Sequence, residues 1–94
     1  MKTLADLKRK LVPGQKVMMV RHDWYPGNKL MNAERTVVSV NNVGVSISVP
    51  NEDHSSGMDW PKSRNLHFTD DGFEVALDSS KGLEGPRMGY KFIN

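Results

Sequence analysis

The stretch from Arg35 to Val49, RTVVSVNNVGVSISV, limits the fold more than any other segment of this chain. Apolar residues alternate with small polar ones on either side of Asn41-Asn42. Val43, Val45, Ile47 and Val49 share one parity, and Gly44, Ser46 and Ser48 share the other. A period of two puts the first set on the buried face of a strand, and β-branched residues suit a pleated, half-buried surface. The spacing therefore predicts a hairpin, residues 35–41 and 43–49, that turns at Asn41-Asn42 because Asn tolerates positive φ. Pro50 ends its second strand.

The flanking segments extend this reading. Residues 3–11 predict a short helix: Thr3 is the N-cap, Asp6 completes a capping-box pattern, and Leu4, Leu7 and Leu11 form an apolar stripe. Pro13-Gly14 stops it. QKVMMVRH, residues 15–22, is apolar on both faces and reads as a central strand. Residues 23–34 show no sustained period, contain Pro26-Gly27, and read as a long ordered loop of the kind that carries function. NEDHSSG, residues 51–57, reads as a solvated loop. MDWPK, residues 58–62, reads as a short extended piece at a sheet edge, because Pro61 excludes helical geometry at Trp60 and cannot donate to a ladder. Residues 66–68 and 73–77 form two strands joined at Asp70-Asp71-Gly72. Residues 78–89 read as a mobile loop, and residues 90–93 as a last strand with Tyr90 and Phe92 on one face.

One helix and about six short strands at this spacing predict a mainly β chain, a small barrel. The expected architecture is an SH3-like antiparallel barrel, partly open, with the helix over one opening. A length of 94 residues fits one domain, 1–94, with the helix at 3–11 and the barrel at 15–93. There are no cysteines, which removes disulfides and thiolate metal sites. No apolar run approaches the ~20 residues that a membrane-crossing helix needs. Asp6 and Lys8 interrupt the segment where a signal peptide would be apolar. The expectation is a cytoplasmic protein without a membrane partner. A net charge of +2, from 13 basic and 11 acidic residues, neither shows nor excludes a basic face.

Two resemblances add to this. Pro13-Gly14-Gln15-Lys16-Val17 leading into a strand, a long loop, then Arg35-Thr36-Val37-Val38-Ser39-Val40, resembles the opening of SH3-like barrels of the Tudor and KOW kind. LADLKRKL, followed by Met58-Asp59-Trp60-Pro61-Lys62, a later hairpin and a terminal Tyr-Lys-Phe strand, resembles a group of small phage and prophage proteins of unassigned function. The second likeness implies a viral or mobile-element origin, with the host cytoplasm as the place of action. It implies no catalytic role for any residue.

The candidate chemistry is sparse. The chain has no phosphate loop before a helix, no G-x-S-x-G and no His-Glu-x-x-His. His22-Asp23, or Asp53-His54 with Asp59, can be drawn as a metal or acid–base site, but the diagnostic ligand spacing is missing. The reading is no enzyme, no cofactor and no metal. Trp24 and Tyr25 lie in the long loop, close in sequence to Arg21, Lys29 and Arg35. Such a group either anchors a protein interface, stacks on bases while cations meet phosphate, or folds back to cap the barrel. Trp60, Lys62 and Arg64 pose the same question, with a barrel-plugging role favoured for Trp60. The Lys8-Arg9-Lys10 cluster complements a helix C-terminus before it does anything else. Met18, Met19 and Met58 read as core filler, and Met31 as an adaptable contact. The expected function is a non-catalytic binding module, a phage-type accessory protein docking on a host or virion protein. The expected binding residues are Trp24, Tyr25, Lys29, Arg35, Trp60, Lys62 and Arg64. The alternative is a nucleic-acid-binding SH3-like barrel that uses aromatic stacking and Lys/Arg phosphate contacts.

Overall fold

The alternation in residues 35–49 produces two of the seven strands among the described residues, hydrogen-bonded into one antiparallel sheet. The structure is a computed structural model that describes residues 3–93; residues 1, 2 and 94 of the expected domain lie outside the described residues. Helix α1 spans Leu4–Lys10. The strands are β1 (Lys16–His22), β2 (Glu34–Val40), β3 (Gly44–Ser48), β4 (Ser55–Asp59), β5 (Leu66–Phe68), β6 (Gly72–Ala76) and β7 (Arg87–Ile93). Their spatial order is β4-β3-β2-β1-β7-β6-β5.

The helix forms as its caps dictate. Thr3 Oγ1 accepts from the Asp6 N–H at 3.2 Å, and the Asp6 carboxylate accepts from the Thr3 N–H at 3.1 Å, a reciprocal capping box. A helix this short is marginal alone, and its stability comes from Leu7 and Leu11, both fully buried in the sheet's core.

Two bulges curl the sheet. The β1–β7 register slips between Met19 and Arg21, and the β2–β3 register slips between Val37 and Ser39. Each adds local twist and bends its strand. β2 also changes partner along its length: residues 34–36 pair with β1 and residues 37–40 with β3. The curled inner face carries Val17, Met19, Val37, Val45, Ile47, Phe73, Val75 and Tyr90 in one buried cluster with the helix leucines. The Phe73 and Tyr90 rings stack at 5.6 Å, and Gly72 lets these strands meet. A Cβ at Gly72 would strike the Tyr90 carbonyl oxygen on β7.

The sheet differs from the expected barrel at its ends. β4 and β5 are the two edges, and among the described residues no ladder joins them. Three segment readings also change. β4 starts at Ser55, inside the stretch read as a solvated loop; Ser55 faces water on this edge strand, while Ser56 turns inward and its Oγ accepts from Arg35. β7 starts at Arg87, three residues before the expected Tyr90, and residues 78–86 are ordered: Asp78 accepts from the Ser80 N–H and Oγ–H, and a 3-10 turn spans Gly82–Glu84. Finally, the Asn41-Asn42 turn does not use positive φ, which among non-glycine residues described occurs at Asn32 and Asn51. Asn41 Oδ1 instead accepts from the N–H groups of Val43 and Gly44 at 2.8 and 3.0 Å, an Asx turn.

Arg35, expected at a binding surface, is inside. It is 1% exposed. Its Nε donates to the Ser48 carbonyl at 2.8 Å, and its terminal nitrogens reach the Tyr90 hydroxyl at 3.3 Å, the Ile47 carbonyl at 3.5 Å and Ser56 Oγ. It thereby ties β2 to β3, β4 and β7. Arg35→Ala leaves a cavity and strips donors from buried acceptors, so we expect a loss of about 3 kcal/mol, read as a lower urea midpoint at unchanged m-value.

Candidate functional site

The sequence reading placed one working surface on the loop after β1, and the structure shows how that loop is held. Asp23 follows the β1 end. Arg21 grips its carboxylate in two parallel bonds, Nε to Oδ1 at 2.9 Å and Nη2 to Oδ2 at 2.8 Å. Asp23 Oδ2 also accepts from the Arg87 backbone N–H at 2.9 Å, and the Asp23 N–H donates to the Arg87 carbonyl at 3.0 Å. Glu74 on β6 joins the group, accepting from Arg87 Nη1 at 2.9 Å and from Arg21 Nη1 at 3.3 Å. Arg21 and Glu74 sit opposite Gly89 on its two sides. A Cβ there would lie 3.2 Å from Glu74 Cγ and 3.3 Å from Arg21 Cβ, so glycine gives the two side chains room to meet across β7.

The rest of the loop is strapped to β1. Asn28 Nδ2 donates to the Tyr25 carbonyl and its Oδ1 accepts from the Leu30 N–H, both at 2.8 Å. Met31 bridges Met19, and the Asn32 N–H donates to the Met19 carbonyl at 2.8 Å, with Asn32 at φ 60°. On this fixed backbone Trp24 is 52% and Tyr25 66% exposed. The Tyr25 N–H donates to His22 Nδ1 at 3.1 Å, and the two rings sit 5.5 Å apart. Beside them Met19, Asn28, Lys29 and Leu30 complete a shallow cleft of about 270 Å³.

The other predicted residues divide. Lys29 is paired with Glu52 at 2.9 Å, and this contact first of all holds the Glu52 carboxyl below its usual range. Arg35 is interior and unavailable to a partner. Trp60, Lys62 and Arg64 come together elsewhere, on a groove of about 430 Å³ whose floor includes Met58, Val75 and Met88. Trp60 is half-buried, its indole N–H donates to the Asn41 carbonyl at 2.8 Å, and Lys8 Nζ stands 5.4 Å from its ring centroid. Asn65 forms part of the groove wall; it is 5% exposed, and its Oδ1 has no donor among the described residues.

The histidines are apart. His54 contacts Glu52 at 3.0 Å, His67 is exposed on β5, and His22 caps the aromatic loop. Among the described residues no group of three or more His, Cys, Asp or Glu converges as metal ligands. Sequence reasoning missed the Arg21–Asp23–Glu74–Arg87 network, because it depends on a β1–β7–β6 register that nothing local encodes. It missed Met88 as groove floor because Arg87–Gly89 read as loop.

In comparisons with known proteins, the chain matches no protein-family model, no curated protein and no solved structure.

Asp23 is held at about 2, against an ordinary 3.8, by its bonds to Arg21 first and to the Arg87 N–H second. Depression of a carboxyl stabilises the folded state above its unfolded value, and the effect disappears as pH falls through the folded value. We therefore expect Asp23→Asn to lower the urea midpoint by a constant amount above about pH 5, with the gap closing as pH falls toward about 2. A carboxyl-carbon NMR titration reads the same shift directly.

Proposed function

We propose that the chain is a non-catalytic protein-docking module that meets its partner through Trp24 and Tyr25. The observation that supports this most is exposure combined with order. Two large aromatic side chains stand in solvent on a backbone fixed at Asp23, Asn28 and Asn32. Aromatic residues of this kind dominate binding energy at interfaces, and a backbone already held in place loses little entropy on docking. The adjoining cleft at Met19, His22 and Leu30 offers an apolar partner side chain a seat.

Electrostatics favours protein over nucleic acid. A phosphate-tracking surface needs cations along one path beside the stacking aromatics. Here Arg35 is interior, Lys29 is tied to Glu52 and Arg9 to Asp6, and Lys62 and Arg64 belong to the other groove. On this reading the scaffold is an open variant of an SH3-like barrel. The likeness to small phage proteins gives the partner its class: a host or virion protein met in the host cytoplasm.

The test compares the wild type with a Trp24→Ala/Tyr25→Ala variant as bait in lysate of the producing cells. Because both side chains are exposed, the variant should unfold within about 0.5 kcal/mol of the wild type. The wild type should retain a protein that the variant does not. Equal capture by both, or micromolar oligonucleotide binding that falls steeply with salt, overturns the reading.

A further inference from the structure

Between edge strand β4 and the β6–β7 pair the surface is grooved. The segment from Trp60 to Asn65 carries the chain from β4 to β5, and beneath it lies the 430 Å³ groove. Its floor is apolar: Met58 from β4, Val75 from β6 and Met88 from β7. Its size falls within the ~300–1,000 Å³ of typical ligand sites. Methionine side chains adapt to apolar groups of varied shape.

The rim is cationic. Lys62 and Arg64 are exposed, and among the described residues neither has a carboxylate partner, although five other cations do. Lys8 adds a third positive charge over the Trp60 ring. Two acids are near. Asp59 lines the groove, while Asp78 has its carboxylate turned onto Ser80 at 2.6 and 2.9 Å. We propose that this groove binds an acidic peptide segment that carries one apolar anchor side chain. The anchor sits over Met58, Val75 and Met88, and its flanking carboxylates meet Lys62 and Arg64, whose planar fork takes a carboxylate through two bonds.

A nucleotide fits less well. Base stacking needs a bare aromatic face, and Trp60 is half-buried, with its N–H committed to Asn41 and a cation over its ring. Among the described residues the groove shares no lining residue with the cleft beside Tyr25, and the two are linked only through the Met88–His22 strand pair. Peptide binding here does not require Trp24.

With only two tryptophans in the chain, indole NMR signals can report on the site. The probe is a short synthetic peptide with Asp and Glu on both sides of a Leu-Phe pair, titrated into the labelled full chain. A peptide with Lys in place of every acid and an oligo(dT) of similar length are run in parallel. The acidic peptide should shift the Trp60 indole and the amides of Met58, Arg64 and Met88, and leave the Trp24 indole in place. Lys62→Glu/Arg64→Glu, at exposed positions that make no ion pair among the described residues, should leave the urea midpoint near the wild type's and weaken binding at least about tenfold. Trp24→Ala/Tyr25→Ala should leave it within about twofold, so failure of the docking loop and failure of the groove are distinguishable. No shift at millimolar peptide overturns the proposal. So do shifts confined to Trp24, equal binding of the lysine peptide, or shifts at the groove from oligo(dT) alone.

Discussion

A buried guanidinium sits inside this small β protein, and its hydrogen-bond partners among the described residues are all neutral. The Arg35 guanidinium is bonded to two carbonyls of β3, a serine of β4 and the tyrosine hydroxyl of β7. Removing a cation from water costs several kcal/mol, and hydrogen bonds to oriented dipoles must offset it. The planar fork is what makes this feasible, since one side chain reaches acceptors in several directions. Tyr90 feels the same environment. Burial pushes its hydroxyl upward in pKa, and the neighbouring guanidinium only partly opposes that.

The location explains why so costly a group is useful. β2 is the strand at which the sheet changes partners, from β1 along its first half to β3 along its second. Without closure into a barrel, β3 and β4 would hang from the rest through the second half of β2 alone. Arg35 reaches past β3 to the edge strand on one side and to β7 on the other. Between edge strand β4 and the β6–β7 pair a groove remains, lined by Met58, Val75 and Met88.

The chemistry of particular residues decided what could be read from sequence. Val45, Ile47 and Val49 alternate without interruption, so the inner face of β3 was legible, as was the Thr3–Asp6 capping box. Val43 shares their parity but lies past the strand end and is exposed. Arg35 has the parity of the buried Val37, so its inward direction was encoded, but its charge argued for the surface. Ser55, Ser56 and Gly57 carry no apolar signal, and the inward Ser56 is accounted for by its bond to Arg35, which no local pattern encodes. Arg87 to Gly89 was hidden because its strand partners Glu74 and Arg21 are remote in sequence. The exposure of Trp24 and Tyr25 was a question of loop packing, and the answer lay in Asp23 bonding to Arg87, a contact between opposite ends of the chain.

Native-state hydrogen exchange addresses the clamp most directly, because it reports the opening free energy of each strand separately. If Arg35 joins the two parts of the sheet, the amides of Ile47 on β3 and Tyr90 on β7 will exchange through one common opening, with free energies equal within about 1 kcal/mol. Exchange of the β3 and β4 amides several kcal/mol below those of β7 would show that the hairpin opens by itself and that the buried guanidinium does not hold it.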